Sequence, residues 1–322
     1  MGTKMWPLSS PKLPKHFLPI LEDKSLFRLN CDVLEKKFKP EEIYISTNVS
    51  QVELVKLQAP EISEKNFIIE PEMRNTGPAI GLIVAKLFSY FPDEPFMIVQ
   101  ADILRKPEEK FLEMIDSFDR LIKNDDGKWI TGAIKAPFAM MGVDYMISEN
   151  ESLLCDWLIG KDKVEIEQYI KNGKAWLHAN HYCWTPKKWL ASYLRLKPEW
   201  GKPLMQIAEG GSIEEIYPQI PKGRTEDWTA LSVKDGEGVM NKLPFEWWDF
   251  GTWESLEKYY LANGTAPKNG GLIEIEAKNN FCISESKKKI AILGLDNVIV
   301  VEGDNGVLVC RRDLSGRVGE VV

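Results

Sequence analysis

The amino-acid sequence predicts an α/β fold with a mostly parallel sheet, followed by a small all-β domain. The first half of the 322-residue chain alternates short apolar runs with helical stretches of about 10–15 residues, a pattern typical of βαβ units. After residue 271 the apolar runs are short and are separated by Gly and Asp or Asn turns, which is typical of a domain built only from strands. The length agrees with about two domains.

The elements of the first half follow one another in order. Helical periodicity covers residues 25–38, 52–57, 78–90 and 111–122, and β-rich or apolar runs cover 43–47, 67–70, 96–99 and 129–134. Thr76 is a plausible cap for the third helix, and Pro78 lies near its first turn. The run at 96–99 is apolar throughout, which suits a strand that is buried on both faces.

The second half is divided by a polar, turn-rich stretch. Residues 132–244 are mixed and rich in Trp and Tyr, with a helical stretch at 164–172. The segment 262–271 predicts a linker, so we expect one domain over residues 1–261 and a β domain over 272–322. Strand-like runs in the β domain lie at 281–283, 290–293, 298–301 and 307–310.

The composition narrows the class of protein. A net charge of −7 argues against a nucleic-acid partner, because such partners normally need a basic face. The five cysteines are scattered, which indicates free thiols in a reducing compartment. No apolar run approaches the roughly 18 residues of a membrane span, and the first 20 residues carry four prolines and no apolar signal region. We therefore expect a cytoplasmic protein without a membrane partner.

The first residues carry the pattern of a phosphate-binding loop. Gly2, Thr3 and Lys4 match the second half of a glycine loop whose backbone N–H groups wrap phosphates. Such loops follow a buried strand, so we expect a strand of typical length before Met1. Asp102 follows the apolar run at 96–99, so the loop and Asp102 are predicted to lie on the same rim of the sheet.

Four ordered blocks carry a resemblance to a known family. They are GTKMWPLS at 2–9 with PKHFL at 14–18, EPEMRNTGPAI at 70–80, FEWWDFGTW at 245–253 and GLDNVIVV at 294–301. Together these blocks resemble the sugar-phosphate nucleotidyltransferases, and within them the mannose-1-phosphate guanylyltransferases. The resemblance implies a Rossmann-like nucleotidyltransferase domain that here lacks its first strand and the start of its G-G-x-G-T-R loop.

The resemblance also implies a reaction and its participants. A sugar 1-phosphate, here expected to be mannose 1-phosphate, attacks the α-phosphorus of GTP, and pyrophosphate is released without a covalent enzyme intermediate. The expected partners are GTP and the sugar 1-phosphate, the expected cofactor is Mg²⁺, and a homo-oligomer is possible. Positioning, cations and a metal ion would offset the phosphate charge in such a reaction.

Residue roles follow from the family motifs where the residues match. The resemblance implies two metal-binding aspartates, Asp102 and Asp249, and two catalytic lysines, Lys4 and Lys15. The implied nucleotide-binding residues are Gly2, Thr3, Glu70, Arg74, Asn75 and Thr76. The implied residues for the sugar phosphate are Tyr145, Lys161, His178 and Asn180.

The chain also departs from the family pattern. The signature arginine is Lys4, which keeps the charge but loses the bidentate guanidinium. Gly160 stands where the family has a glutamate that holds sugar hydroxyls, so the nucleotide side matches better than the sugar side. A catalytically silent paralogue that binds nucleotide sugar and regulates a partner is the alternative. A carbohydrate-binding module would explain the tryptophans but not Lys15 or Asp249.

A zinc site is a further alternative near two histidines. His178 and His181 are three residues apart and Cys183 is nearby, but a further ligand with suitable spacing is not visible. We interpret the two histidines instead as replacements for sugar-contacting residues in the pocket wall.

Overall fold

The computed structural model describes residues 3–21, 23–124, 127–135, 144–148, 156–158, 162–267 and 271–322. Its α-helices are α1 (Leu26–Leu34), α2 (Val52–Gln58), α3 (Thr76–Phe88), α4 (Glu108–Asn124), α5 (Lys163–Lys171), α6 (Pro186–Leu196), α7 (Pro198–Ala208), α8 (Ile213–Ile216), α9 (Glu226–Lys234) and α10 (Trp253–Ala262). None of these helices combines the length and the apolar character needed to cross a membrane.

The strands of the described segments fall into two groups along the chain. The first group is β1 (Ile45–Asn48), β2 (Phe67–Glu70), β3 (Phe96–Ile98), β4 (Ile103–Lys106), β5 (Trp129–Lys135), β6 (Tyr145–Ile147), β7 (Asp156–Leu158), β8 (Ala175–Trp184), β9 (Gly238–Lys242) and β10 (Glu246–Asp249). The second group is β11 (Leu272–Ile275), β12 (Phe281–Ser284), β13 (Ile290–Leu293), β14 (Val298–Gly303) and β15 (Gly306–Arg311).

The α/β class predicted from the sequence is confirmed, whereas the largest sheet is mixed and not mostly parallel as the sequence predicts. Within the described residues this sheet has six strands, in the order β7-β6-β8-β5-β9 with β3 also paired to β8. Only β5 and β9 pair in parallel, whereas β8 runs antiparallel to β3, β5 and β6. The difference arises from β8, a ten-residue strand in the Trp- and Tyr-rich middle region, whose pairings are all with strands distant in sequence.

Helices pack on the large sheet through a core of aromatic side chains. Trp129 of β5, Trp189 of α6 and Trp228 of α9 are fully buried, and the rings of Trp189 and Trp228 stack with centroids 5.3 Å apart. Aromatic side chains each bury a large apolar area. The tryptophan-rich middle of the chain therefore packs as core.

A small two-stranded sheet lies beside the large one. β1 and β2 pair in parallel from Ile45↔Phe67 to Asn48↔Glu70, as expected for strands joined through α2.

In the described part of the chain, β1 has β2 as its one strand neighbour and β3 has β8 as its one strand neighbour. A cavity of about 810 Å³ is lined by 45–47 of β1 and 96–98 of β3, together with the adjoining residues 44 and 99. Because strand side chains alternate between faces, four consecutive lining residues show that the cavity follows the strand edges. The expectation of a further strand ahead of the glycine loop stays a prediction.

The second strand group forms a compact all-β unit. β11 pairs in parallel with β13, and β12 pairs in parallel with β14. Along the chain, one further strand lies between the two members of each pair. β15 then folds back antiparallel on β14. One buried cluster joins Ile299 and Val301 of β14 to Met5 and Leu8 of the first loop and to Trp253 of α10. The predicted linker lies between α10 and β11, and the domain bounds remain a proposal.

The start of α3 corrects one local expectation. The residue that caps this helix is Asn75, whose side chain accepts a hydrogen bond from the N–H of Thr76. Thr76 is instead the first helical residue. Asn75 has a φ of 71°, a value that Asn adopts more readily than most residues.

Candidate active site

Two aspartates that are distant in sequence meet through one strand pair. β4 and β10 pair antiparallel, with Asp249 opposite Ile103. Asp102 directly precedes Ile103, so this register places both carboxylates at the same end of the pair. Buried residues directly follow each carboxylate in the chain, Ile103 and Leu104 after Asp102 and Phe250 after Asp249.

Lys15 lies between the two carboxylates. Its Nζ is 2.9 Å from Oδ2 of Asp102 and 2.8 Å from Oδ1 of Asp249. The lysine begins a short 3₁₀ turn, Lys15–Phe17, in which the buried Phe17 ring and a bond from its N–H to the Pro14 carbonyl fix the backbone. The proline and the apolar residues of the PKHFL block therefore aim the lysine at the aspartates.

The charges of this group stabilise one another. Burial opposes the ammonium, but the two carboxylates outweigh it and raise the pKa of Lys15 above its ordinary value. Burial likewise disfavours the carboxylate of Asp102, yet the Lys15 ammonium holds the pKa of Asp102 below its usual range. The lysine is thus cationic and Asp102 anionic at neutral pH.

The donor set fits a divalent metal ion. The described residues contain no group of three or more His, Cys, Asp or Glu side chains that could hold an ion by itself. Mg²⁺, however, is usually held by one or two carboxylates, with phosphate oxygens and water completing the octahedron. The lysine ammonium already shows that Asp102 and Asp249 converge on a single cation. These two aspartates therefore suit Mg²⁺ that arrives together with phosphates.

Arg105 is a residue of this region that the motifs did not indicate. Its side chain is buried, and it donates to the ring Nε2 of His181 at 2.7 Å and to Oδ1 of Asn30 at 2.6 Å. It also donates to the carbonyls of Ile103 and Gln100, at 3.1 and 3.2 Å. Burial lowers the pKa of Arg105 to about 9, and Asp102 opposes that shift. A charged residue three positions after Asp102 was the only sequence signal, and it does not reveal burial.

The guanidinium of Arg105 braces the turn that carries Asp102. Gln100 and Ile103 flank Asp102, and both give their carbonyls to the same side chain. Asn30 belongs to α1 and His181 to β8, so Arg105 also ties this turn to two other elements. No carboxylate lies within ion-pair distance of Arg105 among the described residues, and Asp102 is the acidic group that acts on its pKa.

The predicted nucleotide block is a rigid loop at the start of α3. One carboxylate oxygen of Glu70 accepts from the N–H of Arg74 at 2.9 Å and from the Tyr217 hydroxyl at 2.6 Å. The Thr76 hydroxyl accepts from the N–H of Thr225 at 3.0 Å. Gly77 lies under Trp200, and a Cβ there would come within 2.4 Å of the indole. Three of the four predicted residues, Glu70, Asn75 and Thr76, thus already hold the loop itself.

Arg74 differs from its neighbours in this block. One of its terminal nitrogens pairs with Glu72 at 2.9 Å, while its buried Nε has no hydrogen-bond partner in the structure. Within the described residues, no hydrogen bond or ion pair joins Glu70, Arg74, Asn75 or Thr76 to Lys15 or the aspartates. The nucleotide roles of these residues stay predictions.

The predicted sugar-side residues lie along the large sheet. Tyr145 is fully buried with Ile147 and Ile166, and Asn180 is half-buried with a φ of 52°. His178 is buried, and its Nε2 lies 2.9 Å from the Thr131 hydroxyl. Burial lowers the pKa of His178 to about 3. Lys161 is outside the described residues, and the sugar-binding roles stay predictions.

The first loop is only partly described. Gly2 lies outside the described residues, and Thr3 begins a short 3₁₀ turn that ends at Met5. Lys4 is exposed, whereas Met5 is fully buried in the cluster with Phe250 of the segment after Asp249. The loop thus packs beside the residues that follow Asp249, and the catalytic role of Lys4 stays a prediction.

Two family models match the chain. The nucleotidyl transferase model matches residues 1–136, which include Lys15 and Asp102. The model of the MannoseP isomerase/GMP-like β-helix domain matches residues 270–322, the all-β unit.

Curated relatives match along the whole chain. The xanthan biosynthesis protein XanB of Xanthomonas campestris is 24% identical over 336 residues, covering 100% of this chain and 70% of the relative. A mannose-1-phosphate guanylyltransferase of Escherichia coli is 22% identical over 339 residues, covering 100% of this chain and 71% of the relative. These matches, with the family models, confirm the resemblance that the four sequence blocks carry.

Solved structures share the fold. A Thermus thermophilus protein described as a mannose-1-phosphate geranyltransferase superposes with a TM-score of 0.86 at 22% identity, covering 99% of this chain and 95% of its own. A mannose-6-phosphate isomerase of Helicobacter pylori gives a TM-score of 0.63 at 16% identity, covering 73% of this chain and 95% of its own. At these sequence identities, both similarities show a shared fold and nothing more.

Proposed function

We propose that this chain, a nucleotidyltransferase related to the mannose-1-phosphate guanylyltransferases, transfers a guanylyl group from GTP to mannose 1-phosphate. An oxygen of the sugar 1-phosphate forms a bond to the α-phosphorus. The bond from that phosphorus to the oxygen bridging to the β-phosphate breaks, and pyrophosphate leaves with the electron pair. The observation that carries the proposal is the convergence of Lys15, Asp102 and Asp249 within 2.9 Å.

The residues of this group would have different roles in binding the phosphates. Asp102 and Asp249 would hold Mg²⁺, which neutralises phosphate charge when it is bound. Lys15 supplies a mobile positive charge for the phosphate that changes its bonding, since a lysine ammonium binds phosphate as a point charge. Arg105 keeps the Asp102 turn in place through the carbonyls on either side of it. The chemistry therefore rests on positioning and charge, without a nucleophile of the protein.

Release of pyrophosphate by the full chain tests this proposal. We expect turnover with GTP, Mg²⁺ and mannose 1-phosphate that exceeds turnover with other sugar 1-phosphates. Absence of pyrophosphate with every sugar 1-phosphate of a panel would refute the proposal.

A variant of one aspartate tests the proposed roles. Asp249→Asn removes one of two metal-binding carboxylates, and we expect kcat to fall by about 100-fold or more. Asp304→Asn changes an exposed aspartate of the β14–β15 turn and serves as the matched control, with an unchanged rate expected. Wild-type turnover by Asp249→Asn would remove this residue from the catalytic group.

Burial on the sugar side favours a second candidate. Tyr145 is fully buried and His178 is 7% exposed, so two of the four expected sugar contacts are engaged in the core. A catalytically silent paralogue that binds nucleotide sugar and regulates a partner would tolerate this arrangement. Calorimetry separates the two candidates, because binding of GDP-mannose without any turnover supports the silent paralogue.

A further inference from the structure

The place that a metal ion would take between Asp102 and Asp249 holds the Lys15 ammonium. We propose that Lys15 and a divalent cation exclude one another at this place, so that the metal enters with the nucleotide phosphates and not before them. The lysine is then a place-holder that is displaced onto the phosphates. This inference rests on the proposed function, since the phosphates are what the displaced lysine binds.

A metal ion bound to the same carboxylate oxygens would lie close to the Lys15 ammonium. The Lys15 Nζ is 2.8 Å from the Asp249 oxygen that faces it, and a Mg²⁺ ion binds a carboxylate oxygen at about 2.1 Å. An ion on that same oxygen would therefore lie within about 5 Å of the ammonium. Asp102 imposes the same limit from the other side, because its Oδ2 is 2.9 Å from Nζ. An ion that bridges these two oxygens on the side of the ammonium requires the ammonium to leave.

The charge balance points the same way. The two carboxylates share one directly bound cation, the Lys15 ammonium between them. This group carries one net negative charge, so a divalent ion added to it would leave one excess positive charge beside the ammonium. An ion accompanied by phosphates brings its own negative charge. The favourable order is joint entry of the ion and the phosphates.

The lysine is able to make the move that this order requires. Its ammonium is held by two carboxylate oxygens, and its four-carbon stem rotates freely compared with the planar fork of an arginine. Phosphate oxygens replace the carboxylates as partners.

Binding of Mn²⁺ to the full chain without nucleotide tests the place-holder directly. Lys15→Met keeps an unbranched side chain that is one atom shorter and removes its charge, and we expect the dissociation constant for Mn²⁺ to fall by about tenfold or more. Lys15→Arg keeps the charge and is expected to bind Mn²⁺ as weakly as the wild type. Lys12→Met changes an exposed lysine of the same loop and is the control for removal of a nearby positive charge. Titrations followed by electron paramagnetic resonance give the four constants, and thermal unfolding shows that each variant is folded.

Two results would overturn the proposal. One is a folded Lys15→Met that binds Mn²⁺ no more tightly than the wild type, with Lys15→Gln as the second neutral variant if Lys15→Met does not fold. The other needs no variant: saturation of the wild type by micromolar Mn²⁺ without nucleotide. Because these titrations need no turnover, a lack of guanylyl transfer would refute the proposed function while the Mn²⁺ result still decides the role of Lys15.

Discussion

Arg105 shows how one buried side chain organises the candidate site. Its charge is surrounded by neutral acceptors, Asn30, His181 and two carbonyls, and by the ring of Phe111 at 4.8 Å. Burying a charge in this way is costly unless every hydrogen bond is made. Two of the bonds that Arg105 donates go to the carbonyls of Ile103 and Gln100, and they hold the turn that carries Asp102.

The first prediction concerns Arg105→Met. The change leaves buried acceptors on Asn30, His181 and two carbonyls without their donor, so we expect the free energy of unfolding to fall by about 2–4 kcal/mol. Urea denaturation measures the loss. Arg120→Met replaces an exposed arginine of α4 and is expected to change stability by about 0.5 kcal/mol or less. Equal effects of the two changes would contradict the role given to Arg105.

The second prediction concerns pH and the two buried histidines. Burial lowers the pKa of His178 to about 3 and holds the pKa of His181 well below its ordinary value. The unfolded chain takes up these protons near pH 6.5, whereas the folded chain does not. The free energy of unfolding should therefore fall as the pH drops below about 6.5, approaching a slope of about 1.4 kcal/mol per pH unit for each histidine.

Denaturation curves at several pH values measure this slope. His178→Gln removes one of the two contributions and should flatten the curve between about pH 6 and 4. The exposed site of Lys12 offers the matched control, because Lys12→Gln leaves both histidines in place. A slope that is unchanged in His178→Gln would show that this histidine does not remain neutral in the folded chain.

At the scale of elements, β1 of the two-stranded sheet and β3 of the large sheet each have an edge without a partner strand. Each has one strand neighbour among the described residues, and the cavity of about 810 Å³ follows their other edges. β5, in contrast, lies between β8 and β9 and pairs with both. Paired amides are protected from solvent, whereas amides along a free strand edge are not.

The third prediction concerns hydrogen exchange in these strands. Amides of β1 and β3 that point toward the cavity should exchange much faster than the amides of β5. Within β1, the amides bonded to β2 should be slower than their alternate neighbours. Exchange followed residue by residue by NMR tests this pattern, with β5 as the internal reference. Uniform protection along β1 would mean that its second edge is covered.

At the scale of the whole molecule, the all-β unit is fastened to the first loop and to α10. The Asn305 side chain donates to the carbonyl of Pro7 at 2.8 Å, and a Cβ on Gly303 would come within 2.4 Å of Leu8. Arg312 and Glu257 form an ion pair in which their side chains are 19% and 10% exposed. The unit thus supports the loop that leads to Lys15.

The fourth prediction tests this attachment. Arg312→Met leaves the buried carboxylate of Glu257 without its cation, and we expect a loss of about 3 kcal/mol in the free energy of unfolding. Arg317→Met breaks the exposed pair with Glu320 and is the matched control, with a loss of about 0.5 kcal/mol or less expected. Thermal or urea denaturation measures both. Equal losses would show that the Arg312 pair does not fasten the unit.

Much of the local secondary structure could be predicted from the sequence. The strands β2 and β13 occupy the predicted residues, and α2, α5 and β5 differ from prediction by only a residue or two at their ends. These elements follow from apolar periodicity, which neighbouring residues set among themselves. The motif blocks likewise pointed to Lys15 and Asp249, and the apolar run at 96–99 pointed to Asp102 just after it.

The tertiary structure alone decided how these residues meet. The antiparallel pairing of β4 with β10 brings Asp249 to Asp102, and it joins segments whose separation no local pattern encodes. The same holds for Arg105, whose burial depends on α1 and β8, and for Tyr145, which lies in the core beneath α5. Motif spacing specifies residue types along the chain, whereas burial and charge pairing arise from contacts between distant segments. The sequence by itself therefore determined which charged residues its motifs supply to the candidate site, and the fold decided which charges face one another.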